Sequence, residues 1–488
     1  MNHRFFILFI VFVPFTLFPA CGDELPEITK FVSDSKSDLF AIDFSHYQAD
    51  LKPYPIGVFD SGVGGLTVLN EIFQVDEFDN RTHEFRADGR PDFEQERFLY
   101  LGDQANMPYG NYPAEGKTDF LRELILKDAI FLLGNRYWPS GASLQPRFDK
   151  SPVKAIVIAC NTATSYGLQD IVTAVGHWKI PLSVIGVVNA GAKGAMENEA
   201  IDGAVAVMAT VGTCSSQGYV RAIESIARQR NRRPPVVVQQ GCLGLASAIE
   251  GDSSYMDPTG ALDPSVYRGP AVHNPQAPIH PALFDRYGFE NEGLLDFEKG
   301  MDSIRLNSVK NYIRYHTLSL VEQYKQNGGG GPIHTVILGC THFPFYLEML
   351  QDAFERLRTW KTAEGELPYA ALIAENIRFI DPARLTAIEL YTSLISQKLL
   401  IEAENERTVV TDEFYISVPN PSLENVELTE TQVFSYSYKY GRNPGNLEYE
   451  YVKRVPMTGS NLNSSTIEMI QSKMPDVWRR MVRFNVAK

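Results

Sequence analysis

The sequence predicts an α/β protein of two related halves, each on a parallel sheet, with the sheets facing across a cleft and a β-hairpin/helix extension at the C-terminal end. Three observations carry this. Residues 155–165 (AIVIACNTATS) and 335–345 (TVILGCTHFPF) echo one another, each running apolar, β-branched residues into a small residue, a cysteine and then an amide or hydroxyl side chain. Each delivers a thiol where a buried strand gives way to a loop, which is where open α/β sheets bind ligands. Short apolar runs alternate with helical patterns along most of the chain, implying parallel strands joined by crossovers. The 488 residues, 44% hydrophobic and 21% charged, have the composition and length of two or three globular domains.

The first unit is a strand at 55–59, a glycine-rich loop at 60–65 (DSGVGG) and a helix from Leu66, with Leu66, Leu69 and Phe73 on one face. A strand at 98–101 leads into a loop containing 107–110 (MPYG), and a long amphipathic helix is expected over 118–133. Further strands are expected around Ile156 and at 182–188, 204–208, 236–239, 336–338 and 377–381, the last followed by a helix to about Leu400. Residues 252–331 interrupt the rhythm. They are rich in Pro, Asp and Tyr, turn helical around 304–326 and end in a run of glycines (328–331), so they read as an insertion. In the tail, Phe434, Tyr436, Tyr438 and Tyr440 alternate with polar residues, and Leu447, Tyr449 and Tyr451 alternate again beyond a turn-rich 441–446. That pattern predicts a hairpin with one aromatic face, followed by a helix around 465–483.

The amino terminus stands apart. A short basic stretch (Asn2, His3, Arg4) precedes a nearly unbroken apolar run over 5–18, then Pro19, Ala20 and Cys21. The run is short for a membrane span of ~20 residues, so it reads as an export signal. Ala20-Cys21 is similar to a bacterial lipoprotein processing site, which makes Cys21 the expected lipidation site and 22–54 a polar tether. This places the protein at the bacterial cell envelope, facing the periplasm, or in the cytoplasm if the run is no signal. The net charge of −14, with no basic stripe, excludes a nucleic-acid partner. The five cysteines, Cys21, Cys160, Cys214, Cys242 and Cys340, match no metal-binding spacing. Two structural disulfides are the plain alternative for the last four.

The 60–65 loop fits neither phosphate-binding pattern. The dinucleotide motif needs glycine where Thr67 stands, and the Walker motif needs a Gly-Lys-Ser/Thr ending. What remains is a set of amides at a helix start, suited to a carboxylate, with Asp60 placed to bind an ammonium or tune a neighbour. The cysteines have chemically useful companions: Asn161 and Thr162 after Cys160, Thr341 and His342 after Cys340. A thiol with an ordinary pKa of ~8.5 needs such help to act as a base near neutrality.

Taken together, DSGVGG (60–65), PYG (108–110), ACNTA (159–163) and GCTHFP (339–344) resemble the glutamate racemases of the aspartate/glutamate racemase superfamily. The resemblance spans about 55–249 and 335–400. It implies two flavodoxin-like domains, 55–185 with 372–406 and 186–371 with the insertion 252–331, leaving 407–488 as an extension. It also implies cofactor-independent racemisation, with no metal, in which one cysteine removes the α-proton and the other returns a proton to the opposite face. Cys160 and Cys340 would be the acid/bases, assisted by Asp60 and His342. Asp60, Ser61, Tyr109, Gly110, Asn161, Thr162, Thr213, Thr341 and His342 would surround the amino acid, with Glu250 nearby. The chain departs from the family at Asn189-Ala190, where Glu-Pro is usual.

Glutamate is the expected substrate, with aspartate or a related acid as the alternative; a lipid-anchored amino-acid-binding protein is the non-catalytic reading. A homodimer is compatible with the resemblance. Glutamate racemases serve peptidoglycan synthesis in the cytoplasm, so an exported relative implies interconversion of D- and L-amino acids in the envelope.

Overall fold

Residues 204–209 (AVAVMA) show how this sequence builds its sheets. In the computed structural model, all six are buried. Ala204, Ala206 and Met208 pack into one core, while Val205, Val207 and Ala209 pack into another on the opposite face. A strand with period-two side chains and helices on both sides must be apolar throughout. The structure describes residues 25–34, 37–197, 203–257, 265–401 and 411–487. Cys21 and the apolar run before it lie outside the described residues.

Strands are numbered in chain order: β1 (Ile56–Asp60), β2 (Phe98–Gly102), β3 (Ala155–Ile158), β4 (Ser183–Gly186), β5 (Ala204–Ala209), β6 (Val236–Gly241), a short antiparallel pair β7 (Leu294–Leu295) and β8 (Arg305–Leu306), β9 (Ile333–Gly339), β10 (Ile373–Ile380), β11 (Glu413–Pro419) and β12 (Val452–Pro456). The first sheet has the order β12-β11-β2-β1-β3-β4 and the second β10-β9-β5-β6. Within these, β2-β1-β3-β4 and β6-β5-β9-β10 are the same arrangement, all parallel. In both halves the first strand is flanked by the second and third, so each half has a switch point beside its first strand. The two halves are flavodoxin-like repeats, and both echoing cysteines follow the third strand of their repeat.

Several boundaries differ from the sequence reading. Residues 373–380 form β10 and pair with β9 in the second sheet, not the first domain. Only the helix that follows, Pro382–Ser396, returns to the first half, packing against the helix Leu66–Gln74 and β4. The helix Val309–Gln326, read as inserted material, is the crossover from β6 to β9, its apolar face on the core of the second sheet. The strand expected at 182–188 ends at Gly186, and Val187–Ala195 is helical through Asn189-Ala190.

The tail and the amino-terminal segment are parts of the first half. β11 pairs in parallel with β2 and antiparallel with β12, so the extension widens the first sheet by two strands. Its antiparallel pair is therefore not the aromatic segment expected; Tyr436–Gly441 is helical. Residues 25–54 are no tether either. Ile28, Val32, Phe40, Ile42, Tyr47 and Leu51 are buried in the first core, and the Trp178 indole donates to the Thr29 carbonyl. These additions cover both sides of the helix Thr118–Leu133, which is buried nearly all round rather than amphipathic. Its charged residues survive burial because they are partnered: Lys127 with Glu123 at 2.6 Å, and Asp128 with Arg454 of β12 at 2.9 Å.

Candidate active site

The carboxyl ends of the two sheets face one cavity, and a cleft between two domains is where small-molecule sites tend to form. Asp60, Ser61, Tyr109, Gly110, Cys160, Asn161 and Thr162 of the first half line it, with Cys340, Thr341 and His342 of the second. Met107, Pro108, Thr210, Ala246 and Gly339 complete the lining, and none of the lining residues is a lysine or arginine. Among the described residues all four cysteines are free, so the two disulfides of the plain alternative are not formed there.

Glycines allow the halves to meet closely here. A Cβ on Gly64 would fall 2.6 Å from both the Thr341 hydroxyl and His342 Cε1. A Cβ on Gly110 would fall 2.8 Å from Thr210 Cβ. Substitution at either position would wedge the cleft open. The 60–65 amides, however, are not reserved for a ligand: Gly62 and Gly65 N–H donate to Asp60 Oδ2 at 3.2 and 2.9 Å. Asp60 organises its own loop. Burial pushes its carboxyl up, opposed by the charge of His342 and by these two amides.

The two thiols sit in different electrostatic surroundings. Cys160 caps the helix Asn161–His177; its Sγ accepts from Ala163 N–H at 3.4 Å and donates to Ser61 Oγ at 3.7 Å. Burial pushes this thiol well up, with the Asp60 carboxylate adding to the shift and the helix-end amides opposing it. Cys160 therefore rests as a thiol. Beside Cys340 Sγ, at 3.5 Å, lies His342 Nδ1, and the other ring nitrogen of His342 is 2.6 Å from Glu250 Oε1. Burial lowers the imidazole, but hydrogen bonds and charge from Cys340 and Glu250 outweigh it and hold His342 well above its ordinary value. Glu250 does not line the cavity; it holds His342 from behind, with Gln104 Nε2 on its second oxygen at 3.1 Å. The arrangement Cys340–His342–Glu250 can shuttle a proton at the sulfur.

Thr213 is also set back. It is fully buried, and its hydroxyl lies 3.0 Å from Thr162 Oγ1 and 2.9 Å from Thr210 Oγ1, behind the lining. Thr210, which follows β5, is a member of this cluster that lines the cavity, and it caps the turn 211–215. The signal for it was the hydroxyl immediately after β5, just as Ser61 follows β1 in the first half. Tyr109 lines the cavity, but its hydroxyl is committed elsewhere, 2.5 Å from Asp103 and 2.6 Å from Asp128. One phenolic proton cannot serve two carboxylates. Burial and the Asp103 charge push Asp128 up to about 8, with Arg454 opposing them. Asn161 Oδ1 accepts from the Tyr219 hydroxyl, which joins the two halves behind the cavity.

No family model matches the chain. Curated proteins do match. Over 172 residues it is 36% identical to a glutamate racemase from Enterococcus faecalis, covering 35% of this chain and 47% of that protein. With a Caldanaerobacter subterraneus protein named glutamate racemase 1 it shares 30% over 196 residues, covering 40% of this chain and 54% of that one. The chain thus spans about half the length of these two relatives. Over 361 residues it is 27% identical to a glutamate racemase from Clostridium novyi, covering 74% of this chain and 91% of the relative. Among solved structures, a glutamate racemase isoform from Bacillus anthracis aligns with 74% of the chain and 88% of its own at 23% identity and a TM-score of 0.43. The curated relatives of this chain are therefore glutamate racemases.

Proposed function

We propose that this protein is a cofactor-independent glutamate racemase in which Cys160 and Cys340 exchange protons with opposite faces of Cα. The single observation that carries the reading is that both thiols line one cavity between two like halves, each thiol after the third strand of its repeat. Deprotonating Cα leaves a planar carbanion, which racemises only if an acid waits on the far face. Cys160 rests protonated and so is ready as the acid; Cys340, with His342 to take or return its proton, serves as the first base. In the reverse direction the roles exchange. The hydroxyls and amide of Ser61, Asn161, Thr162, Thr210 and Thr341 would bind the carboxylates, and Asp60 would face the ammonium.

The test is incubation of purified protein with each enantiomer of glutamate and of aspartate, followed by circular dichroism. Loss of signal from both glutamate enantiomers, with aspartate at least about tenfold slower, is the expected result. Faster conversion of aspartate would move the substrate to the shorter acid. Binding without conversion of either would replace the racemase with an amino-acid-binding protein.

We also propose that residues 1–21 direct export and that Cys21 is lipidated, on the strength of the basic start, the apolar run and Ala20-Cys21. Cells fed labelled palmitate should label the wild type and not Cys21→Ala; equal labelling of the two would contradict the anchor.

A further inference from the structure

We propose that the C-terminal extension, through Lys439, Tyr440 and Arg442, positions the cavity wall formed by Met107–Gly110. This wall is one of two stretches of four consecutive residues in the lining, and unlike the other, 339–342, which runs on directly from the end of β9, it lies in a loop away from any strand end. Such loops are held only by what packs on them. Here the anchors come from the helix Tyr436–Gly441 and its C-cap residue Arg442. Lys439 Nζ donates to the Met107 carbonyl at 2.5 Å, and the Tyr440 hydroxyl to the Pro108 carbonyl at 3.4 Å. Arg442 Nη2 donates to Asn106 Oδ1 at 2.7 Å. The Tyr440 ring meets Tyr112 edge-on at 4.8 Å, closing the far end of the loop.

The anchors are themselves fixed. The Arg442 guanidinium lies over the rings of Phe434, Tyr438, Phe120 and Tyr451 at 4.5–5.5 Å, a cage joining the extension to the helix Thr118–Leu133. The extension also reaches the second half. Arg268, inserted between β6 and β9, stacks over Tyr436 at 3.7 Å, and the Tyr436 hydroxyl donates to Glu115 at 2.5 Å. The Lys439 ammonium is buried, which pushes it down to about 8, with Asp252, Asp103 and Glu250 facing it as anions and Arg442 as a cation. At neutral pH it remains a charged donor to the Met107 carbonyl, and hydrogen bonds from charged groups are the stronger kind.

The consequence for turnover rests on the racemase reading; the positioning itself does not. Both are read on the full chain with Lys439→Met, Lys439→Arg and Tyr440→Phe. In Lys439→Met, amide hydrogen exchange of a peptide covering 106–112 should rise about tenfold, the scale of one lost charge-assisted hydrogen bond, with peptides of β1 and β9 unchanged. KM for glutamate should rise about five- to tenfold with kcat within about threefold, because the wall holds substrate and moves no proton. Lys439→Arg should restore both values. Tyr440→Phe, which removes one hydroxyl and cannot unfold the extension, should give a smaller rise confined to the same peptide. Unchanged exchange at 106–112 in both Lys439→Met and Tyr440→Phe overturns the proposal, as does a rise spread evenly over the chain. If the wild type converts no amino acid, the racemase reading fails while the exchange result still decides the positioning.

Discussion

Cys160→Ser and Cys340→Ser should each lower kcat/KM for both glutamate enantiomers by about 10³-fold or more. A positioned acid or base contributes roughly 10²–10⁴-fold, and a serine hydroxyl is far too weak an acid to replace a thiol in either role. Because each turnover in either direction needs both groups, one substitution is enough to stop it. The fold should tolerate the change. Cys160 caps a helix with its sulfur, and serine is among the best residues at that position. Circular dichroism of the reaction gives the activity, and thermal unfolding within a few degrees of wild type shows that the loss is chemical. A Cys160→Ser protein retaining a tenth of wild-type activity would remove that sulfur from the mechanism.

Glu250→Gln should lower kcat by about 10–100-fold and move the alkaline limb of the kcat/KM profile to lower pH. The sign follows from linkage. His342 is held above its ordinary value, in part by Glu250, so its charged form persists to higher pH in the native protein than in the unfolded chain. That interaction contributes stability fully below the ordinary imidazole pKa of ~6.5 and loses it as pH rises through the folded value. Glutamine keeps the shape and an acceptor but removes the charge 2.6 Å from the ring, so the imidazolium is lost at lower pH. Unfolding by urea at pH 5.5 and 8.5 provides the second check. The variant should be less stable than wild type chiefly at the lower pH, where the imidazolium would be left buried without its partner. An unchanged pH profile would mean that Glu250 is packing alone.

The site was largely legible from the sequence because its residues sit next to strand ends. Cys160 and Cys340 each follow a run of buried, β-branched residues, and local pattern is enough to find such a junction. What lay beyond local pattern was pairing. Residues 373–380 are apolar enough for either sheet, and only the β9 partner puts them in the second. Thr210 and Thr213 stand three apart on one capping turn, and which of them reaches the cavity depends on where Thr162 of the other half sits. The tail misled for a different reason: Phe434, Tyr436, Tyr438 and Tyr440 alternate like a strand, yet Tyr436 and Tyr440 are also one helical turn apart, and their rings meet at 4.6 Å. Spacing of two fits both periods until the Arg442 cage selects one. The same holds for 25–54, where Ile28 and Val32 are scattered apolar residues until the helix Thr118–Leu133 offers them a surface.

Protons moving through two sulfurs rather than one is the claim most directly open to measurement. Racemisation of L-glutamate in D₂O, stopped at a few per cent conversion, gives separate pools of substrate and product whose Cα deuterium is read by mass spectrometry. With Cys340 removing the proton and Cys160 delivering another from solvent, the D-glutamate should be almost fully deuterated while the recovered L-glutamate keeps its protium. D-glutamate that retains the original protium, or deuterium appearing equally in both pools from the start, would mean that a single group serves both faces, and would contradict the account.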